Sequence, residues 1–67
     1  MTQSFTAVVH KEDQLYVAEC PEVGTASQGS TIEEAVKNLQ EATALYLEEF
    51  PRHKYSRPIL TTFEVTL

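Results

Sequence analysis

The sequence predicts one small α+β domain, in which an antiparallel sheet carries a single helix in the order β-β-β-α-β. Three observations predict this fold: β-branched segments lie near the N-terminus, an amphipathic segment with a capping sequence follows, and strict apolar–polar alternation comes last. Consecutive strands followed by one helix indicate an antiparallel sheet that the helix covers on one face. A chain of 67 residues forms one domain, and we assign residues 1–67 to it.

The first predicted strands lie on either side of a polar break. Residues 4–10 (SFTAVVH) are rich in β-branched side chains, and residues 15–20 (LYVAEC) are mostly apolar on both faces. Residues 11–14 between them have the length and polarity of a hairpin loop. Pro21 ends the second strand, because proline cannot donate to a sheet ladder. A short third strand is predicted over residues 25–28, between two glycines that we expect to turn the chain with positive φ.

The helix signal is the clearest in the chain. Thr31 and Glu34 have the capping-box spacing, in which the threonine hydroxyl accepts from the third helical amide and the glutamate reaches back to the cap. Apolar residues then recur at intervals of three and four, which predicts one apolar stripe of an amphipathic helix. The stripe consists of Ile32, Ala35, Val36, Leu39, Ala42, Thr43, Tyr46 and Phe50. Pro51 ends the helix.

The last part of the chain combines a basic connector and an alternating segment. Residues 52–58 carry three of the five cations, which we expect to complement the dipole at the helix C-terminus. Residues 59–67 (ILTTFEVTL) place Phe63, Val65 and Leu67 on one face and Thr62, Glu64 and Thr66 on the other. This alternation predicts the final strand. The second face of the sheet then has no cover within the chain, and it meets either water or another subunit.

The size of the chain favours self-association. A domain this short buries only about 60% of the surface that its unfolded chain exposes, so its core is marginal. Small domains compensate with disulfides, a metal or oligomerisation. Cys20 is the only cysteine, which excludes a disulfide framework, and Cys20, His10 and His53 fit no metal-ligand spacing. We therefore expect a homo-oligomer, a dimer or larger.

Charge and hydropathy restrict the partners and the compartment. Ten acidic residues against five basic ones give a net charge of −5, which disfavours direct nucleic-acid binding and favours a basic partner. Modest acidity also simply keeps a small protein in solution, and that alternative stays open. The N-terminus does not begin a signal peptide, no apolar run has the length of a membrane span, and the lone thiol suits a reducing compartment. We expect a cytoplasmic protein without membrane contact.

The sequence predicts no catalytic residue, no metal site and no cofactor. His10 lies near Glu12, but no nucleophile or phosphate-binding loop accompanies this pair, so a solvated strand-end histidine is the better interpretation. Cys20 follows Glu19, whose charge disfavours a thiolate, and we expect a small buried apolar side chain. Residues 24–29 precede the helix but match neither a P-loop nor a dinucleotide fingerprint. We therefore expect a protein that is not an enzyme.

The polar face of the predicted helix holds the candidate binding residues. Leu45 lies opposite the apolar stripe, among acidic side chains. The candidate partner-binding residues are Glu33, Glu34, Glu41, Leu45 and Glu48. An exposed leucine among carboxylates suits the docking of a basic partner. A merely solvated helix face gives the same pattern and is the commoner case.

The middle of the chain carries a recognisable arrangement. Residues 16–24 (YVAECPEVG) and 27–35 (SQGSTIEEA) place a proline, two glycines and a Thr-x-x-Glu-Ala sequence in fixed register. In this register the chain resembles the HicB family of bacterial and archaeal antitoxins. Residues 5–9 look like the first strand of that family and residues 36–49 like the rest of its helix, so the resemblance covers about residues 4–50.

The resemblance implies both a fold and a function. The family fold is a truncated ribonuclease-H-like β-β-β-α-β unit without a nuclease site, and its members bind and block HicA, a small basic toxin that cleaves mRNA. Many members also carry a C-terminal DNA-binding domain, whereas this chain stops at Leu67 without one, so we do not expect it to bind its own operator. The resemblance therefore implies an antitoxin of a type II toxin–antitoxin system. The competing hypothesis is a solitary, self-associating structural or adaptor domain without a toxin.

Overall fold

The fold is a three-stranded antiparallel sheet with one helix packed on it. A computed structural model describes residues 3–51 and 56–67. Its elements are β1 (Val8–Glu12), β2 (Leu15–Cys20), β3 (Thr25–Gly29) and α1 (Ile32–Glu49). The strands lie in the order β1-β2-β3, and both neighbouring pairs are antiparallel. The predicted α+β class, the first three strands and the helix are confirmed.

The β1–β2 hairpin is tighter than the sequence predicts. Glu12 pairs with Leu15, so the turn consists of Asp13 and Gln14 alone. Asp13 has a φ of 55°, a left-handed conformation that aspartate tolerates better than most residues. The predicted four-residue loop was wrong, because this short turn allows Lys11 and Glu12 to continue the ladder.

The beginning of the first predicted strand does not join the ladder. β1 starts at Val8, which pairs with Glu19. Extending that register would set Thr6 opposite Pro21, which has no N–H to donate. The Thr6 backbone N–H instead donates to the carboxylate of Glu22 at 3.0 Å. The strand predicted over residues 4–10 is therefore correct only in its second half.

Helix α1 has the cap that the sequence predicts. The Thr31 hydroxyl accepts from the Glu34 backbone N–H at 3.0 Å. The Glu34 carboxylate reaches back to Ser30, one residue before the cap, where it accepts from the backbone N–H at 2.7 Å and from the hydroxyl at 3.1 Å. At the other end, the Phe50 N–H donates to the Tyr46 carbonyl at 2.9 Å, just before Pro51. Local hydrogen bonds thus fix both ends of the helix.

Replacing Thr31 with alanine is expected to destabilise the fold without abolishing it. The substitution leaves the Glu34 amide without its side-chain acceptor, and loss of an N-cap costs about 0.5–2 kcal/mol. Urea unfolding followed by circular dichroism measures the change, and Thr31→Ser, which keeps the hydroxyl, is the matched control. An unchanged midpoint for Thr31→Ala would contradict this account of the cap.

The core lies between α1 and the sheet, under β2 and β3 more than under β1. Its buried apolar side chains are Ala18, Cys20, Val23, Ala35 and Leu39. Thr43 is also buried, and its hydroxyl hydrogen-bonds the Thr25 hydroxyl at 2.7 Å. Cys20 is buried, as expected, because only 1% of its surface is exposed. Leu39 is the only large aliphatic side chain in this set, so the core of one chain is small.

The alternating segment, residues 59–67, does not form the predicted fourth strand in this structure. Its apolar side chains are Ile59, Leu60, Phe63, Val65 and Leu67, and all are exposed. Alternation predicts which side chains share a face of a strand, but it does not provide a neighbouring strand. Without a neighbour, the backbone N–H and C=O groups of the segment form no ladder hydrogen bonds. The prediction for the basic connector falls largely on residues 52–55, which lie outside the described residues. Within residues 3–51 and 56–67, no helix has the length and apolar character that crossing a bilayer demands.

Candidate partner-binding surfaces

The outer helix face brings together four of the five candidate residues. Glu33, Glu41, Leu45 and Glu48 recur at helical spacing along the side of α1 that points away from the sheet, and all four are exposed. Leu45 is 62% exposed. Lys37 is also exposed on this side. We call these five residues the outer helix face; it carries three carboxylates, one ammonium group and one apolar side chain.

Glu34 differs from the other predicted binding residues, because its carboxylate is already engaged. It accepts the two hydrogen bonds from Ser30 that complete the helix cap. The backbone N–H of Ser30, followed by its hydroxyl, lowers the pKa of Glu34 below the ordinary value of 4.5, against a smaller opposing effect of burial. The structure therefore gives Glu34 a role in starting the helix, and its carboxylate is less available to a partner than those of Glu33, Glu41 and Glu48.

Glu22 is a structural carboxylate that the sequence analysis did not single out. It is only 9% exposed, and it accepts from the Thr6 backbone N–H, the Thr6 hydroxyl and the Cys20 thiol. Burial of the carboxyl group raises its pKa, but the bonds from Thr6, then Glu22's own backbone and Cys20, outweigh it and lower the pKa below 4.5. The signal in the sequence is Pro21, which has no N–H to donate and ends the β1–β2 ladder before it reaches Thr6. Glu22 instead accepts from the Thr6 N–H and holds the N-terminal segment on the sheet.

Acidification is expected to weaken the fold in part through Glu22. Because the folded pKa is lowered, this carboxylate contributes stability above its ordinary pKa, and the contribution is lost as the pH falls through the folded pKa. The urea midpoint should therefore decline as the pH is lowered below 4.5. Glu22→Gln should be less stable at neutral pH and should decline less steeply. Glu33→Gln, at an exposed position, is the control and should keep the native slope; an equally steep decline for Glu22→Gln would contradict the assignment.

The outer sheet face, on the side away from α1, holds the only histidine in the described residues. His10 Nε2 lies 2.9 Å from a Glu12 carboxylate oxygen, and His10 Nδ1 lies 3.9 Å from one of Glu19. The His10 and Glu12 side chains are 46% and 68% exposed, so this pair is solvated. No serine, threonine or cysteine hydrogen-bonds His10 in the described part of the chain, and no cluster of three metal-ligating side chains is found there. His10 is therefore a solvated side chain of β1 that pairs with Glu12.

An apolar groove runs between α1 and the segment that precedes β1. It arises because α1 packs on β3 and β2 and barely touches β1. Its volume is about 400 Å³. Its apolar lining includes Phe5, Ala7, Cys20, Val36, Leu39 and Leu47, and none of the residues that line it is charged. This groove is a second surface on which a partner segment can be buried.

Comparison with known proteins finds a similar sequence in Synechocystis sp.. A UPF0150 protein of Synechocystis sp. is 47% identical over 47 residues. The chain is similar to a UPF0150 protein. The aligned region is 67% of this chain and 60% of that protein, so the chain spans less than two thirds of its relative. No protein-family model matches the chain, and no solved structure does. The name of the relative states no activity or partner, so function is argued from the surfaces described above.

Proposed function

We propose that the chain is a cytoplasmic, non-catalytic binding protein, the antitoxin of a type II toxin–antitoxin system. Its partner is a small basic toxin of the HicA type that cleaves mRNA. The observation that carries the proposal is the outer helix face, where Glu41 and Glu48 flank the exposed Leu45 and Glu33 lies on the same side nearer the start of α1. The resemblance of residues 16–35 to HicB antitoxins supports the same function.

The chemistry of the outer helix face suits inhibition of a nuclease. A toxin that cleaves RNA needs cationic side chains to hold phosphates, and three carboxylates on one rigid helix occupy those cations in place of RNA. Opposite charges accelerate the encounter, whereas a central apolar side chain that loses its water slows dissociation. Leu45 is suited to the second role and the glutamates to the first. Inhibition of this kind is stoichiometric and requires no reaction by the chain.

The proposal is tested by the reading frame next to the gene for this chain. We expect it to encode a small basic protein that degrades mRNA and stops growth when expressed alone. Co-expression of the 67-residue chain should restore growth, and the two proteins should purify as a complex. A neighbour whose toxicity is not relieved, or the absence of a basic neighbour, would contradict the proposal.

A second candidate function is a self-associating structural domain without a toxin. The specific observation in its favour is the exposed apolar surface of residues 59–67 together with the open groove beside α1. The surfaces proposed for self-association and for toxin binding are different, so one chain can do both. Expression of the neighbouring reading frame separates the two candidates, because a solitary domain relieves no toxicity.

A further inference from the structure

The alternating segment, residues 59–67, exposes more apolar surface than any other part of the described chain. Phe63 is 85% exposed and Val65 is 66% exposed. A single exposed hydrophobic residue is ordinary, but five within nine residues form a continuous apolar surface that proteins normally cover. In an extended conformation Phe63, Val65 and Leu67 lie on one side of this segment, and Thr62, Glu64 and Thr66 lie on the other. The segment has the pattern of a half-buried strand, and its own chain does not bury it.

The groove beside α1 offers the complementary surface. Its lining is mostly apolar and carries no charge, and β1 beside it is an edge strand of the described sheet. An extended segment that pairs with the edge of β1 would direct one row of side chains into the groove and the other row toward the outer sheet face. The outer sheet face beside β1 carries His10 and Glu12, so a polar row suits it. Strand addition at a sheet edge gains main-chain hydrogen bonds, while the alternate side chains fill the groove.

We propose that residues 59–67 of a second copy of this chain dock along β1 and fill this groove, and that the exchange is reciprocal. Phe63, Val65 and Leu67 enter the groove between Phe5, Val36 and Leu47. The result is a two-fold dimer, in which each chain supplies the same segment and the same groove. The predicted fourth strand then forms, but in the sheet of the partner.

Area and charge both favour a second copy as the occupant. Because the exchange is reciprocal, two segments and two grooves are buried at once, which doubles the area removed from water toward the roughly 1,200–2,000 Å² of stable interfaces. Glu64 is the only charged residue in the segment, and the residues that line the groove carry no charge. The apolar row therefore enters the groove without opposing like charges, and Glu64 lies in the other row, which faces His10 as well as Glu12. The small core of one chain gives a further reason to bury surface between chains.

Sedimentation of the 67-residue chain at micromolar concentration tests the proposal, with a mass of twice 7.5 kDa expected. Phe63→Glu with Val65→Glu should raise the dissociation constant by at least about a hundredfold, because it buries charge in the groove. The control, Thr62→Glu with Thr66→Glu, adds the same charge on the opposite side and should remain dimeric. Ala44 also lines the groove. Ala44→Glu should therefore give monomers, whereas Leu45→Glu, on the outer helix face, should not.

Several outcomes overturn the proposal. A monomeric native chain does so, and so does a dimer that survives both the segment and the groove substitutions, because another surface then joins the copies. Loss of the dimer in the segment variant alone shows that the segment docks elsewhere. Circular dichroism confirms that each variant keeps its helix.

Cross-linking covers the case in which a groove variant does not fold. Chains with Val65→Cys and chains with Ala44→Cys, both with Cys20→Ala, are mixed and oxidised. A disulfide that joins one Val65→Cys chain to one Ala44→Cys chain supports exchange. A chain with both new cysteines that closes its disulfide at monomer mass shows that the segment folds back on its own groove, and overturns the proposal. These measurements need no toxin, so they are independent of the antitoxin proposal.

Discussion

Gly29→Ala is expected to unfold a large fraction of the protein. Gly29 is buried at the end of β3, where the chain passes directly beneath the first turn of α1. A methyl group on Gly29 would lie 2.6 Å from the Ala35 backbone nitrogen and 2.9 Å from the Glu34 carbonyl carbon. These atoms cannot withdraw easily, because the Ala35 N–H donates to the Thr31 carbonyl and the cap fixes the same turn. The strand and the helix would have to separate.

The expected cost of Gly29→Ala is about 3 kcal/mol or more, at the upper end of overpacking effects. Small domains have a total stability of only about 0.05–0.15 kcal/mol per residue, so such a loss is a large part of the whole. Urea unfolding measures it. Gly24→Ala is the matched control: Gly24 has a φ of 93°, and its added methyl group meets nothing within 4 Å. That variant should lose only about 1–2 kcal/mol through backbone strain. A smaller loss for Gly29→Ala than for Gly24→Ala would contradict the close approach of β3 and α1.

The two glycines show what local sequence can and cannot predict. Both were expected to turn the chain with positive φ, and this is confirmed for Gly24 alone. Gly29 is needed because α1 packs closely against the end of β3. The residues next to Gly29 in the sequence do not indicate this contact between two elements. The helix itself was predictable, because the cap at Thr31 and the apolar stripe are properties of one segment.

Features that depend on distant partners were not predictable in the same way. Glu22 and Thr6 are sixteen positions apart, and their bond forms only because Pro21 interrupts the ladder between them. The alternating segment has the right pattern for a strand, but a pattern does not specify which edge, in which chain, will pair with it. Helical periodicity alone determines the side of α1 on which Glu33, Glu41, Leu45 and Glu48 lie, so their exposure was predictable, whereas their role in binding stays a prediction. The engagement of Glu34 by Ser30 was not foreseen, because the capping box predicted a bond to Thr31.

Charge reversal on the outer helix face is expected to weaken toxin binding by more than about tenfold, chiefly through slower association. The variant carries Glu33→Lys, Glu41→Lys and Glu48→Lys, and it keeps Glu34 because the helix cap needs that carboxylate. Leu45→Ala, made separately, should mainly accelerate dissociation, because it removes an apolar anchor and leaves the charges in place. Binding to the neighbour-encoded toxin is measured by surface plasmon resonance at two salt concentrations. The contribution of the glutamates to the affinity should be smaller at the higher salt concentration.

The control for net charge carries Glu12→Lys, Glu19→Lys and Glu64→Lys. It changes the charge of the chain by the same amount on exposed positions away from the outer helix face. If the proposal is correct, this variant keeps most of its affinity, because a contact responds to charges at the interface far more than to the total. Equal losses in both triple variants would show that only the overall acidity attracts the toxin. Unchanged affinity in the outer-face variant, with the helix intact, would exclude this surface and direct attention to the groove or the outer sheet face.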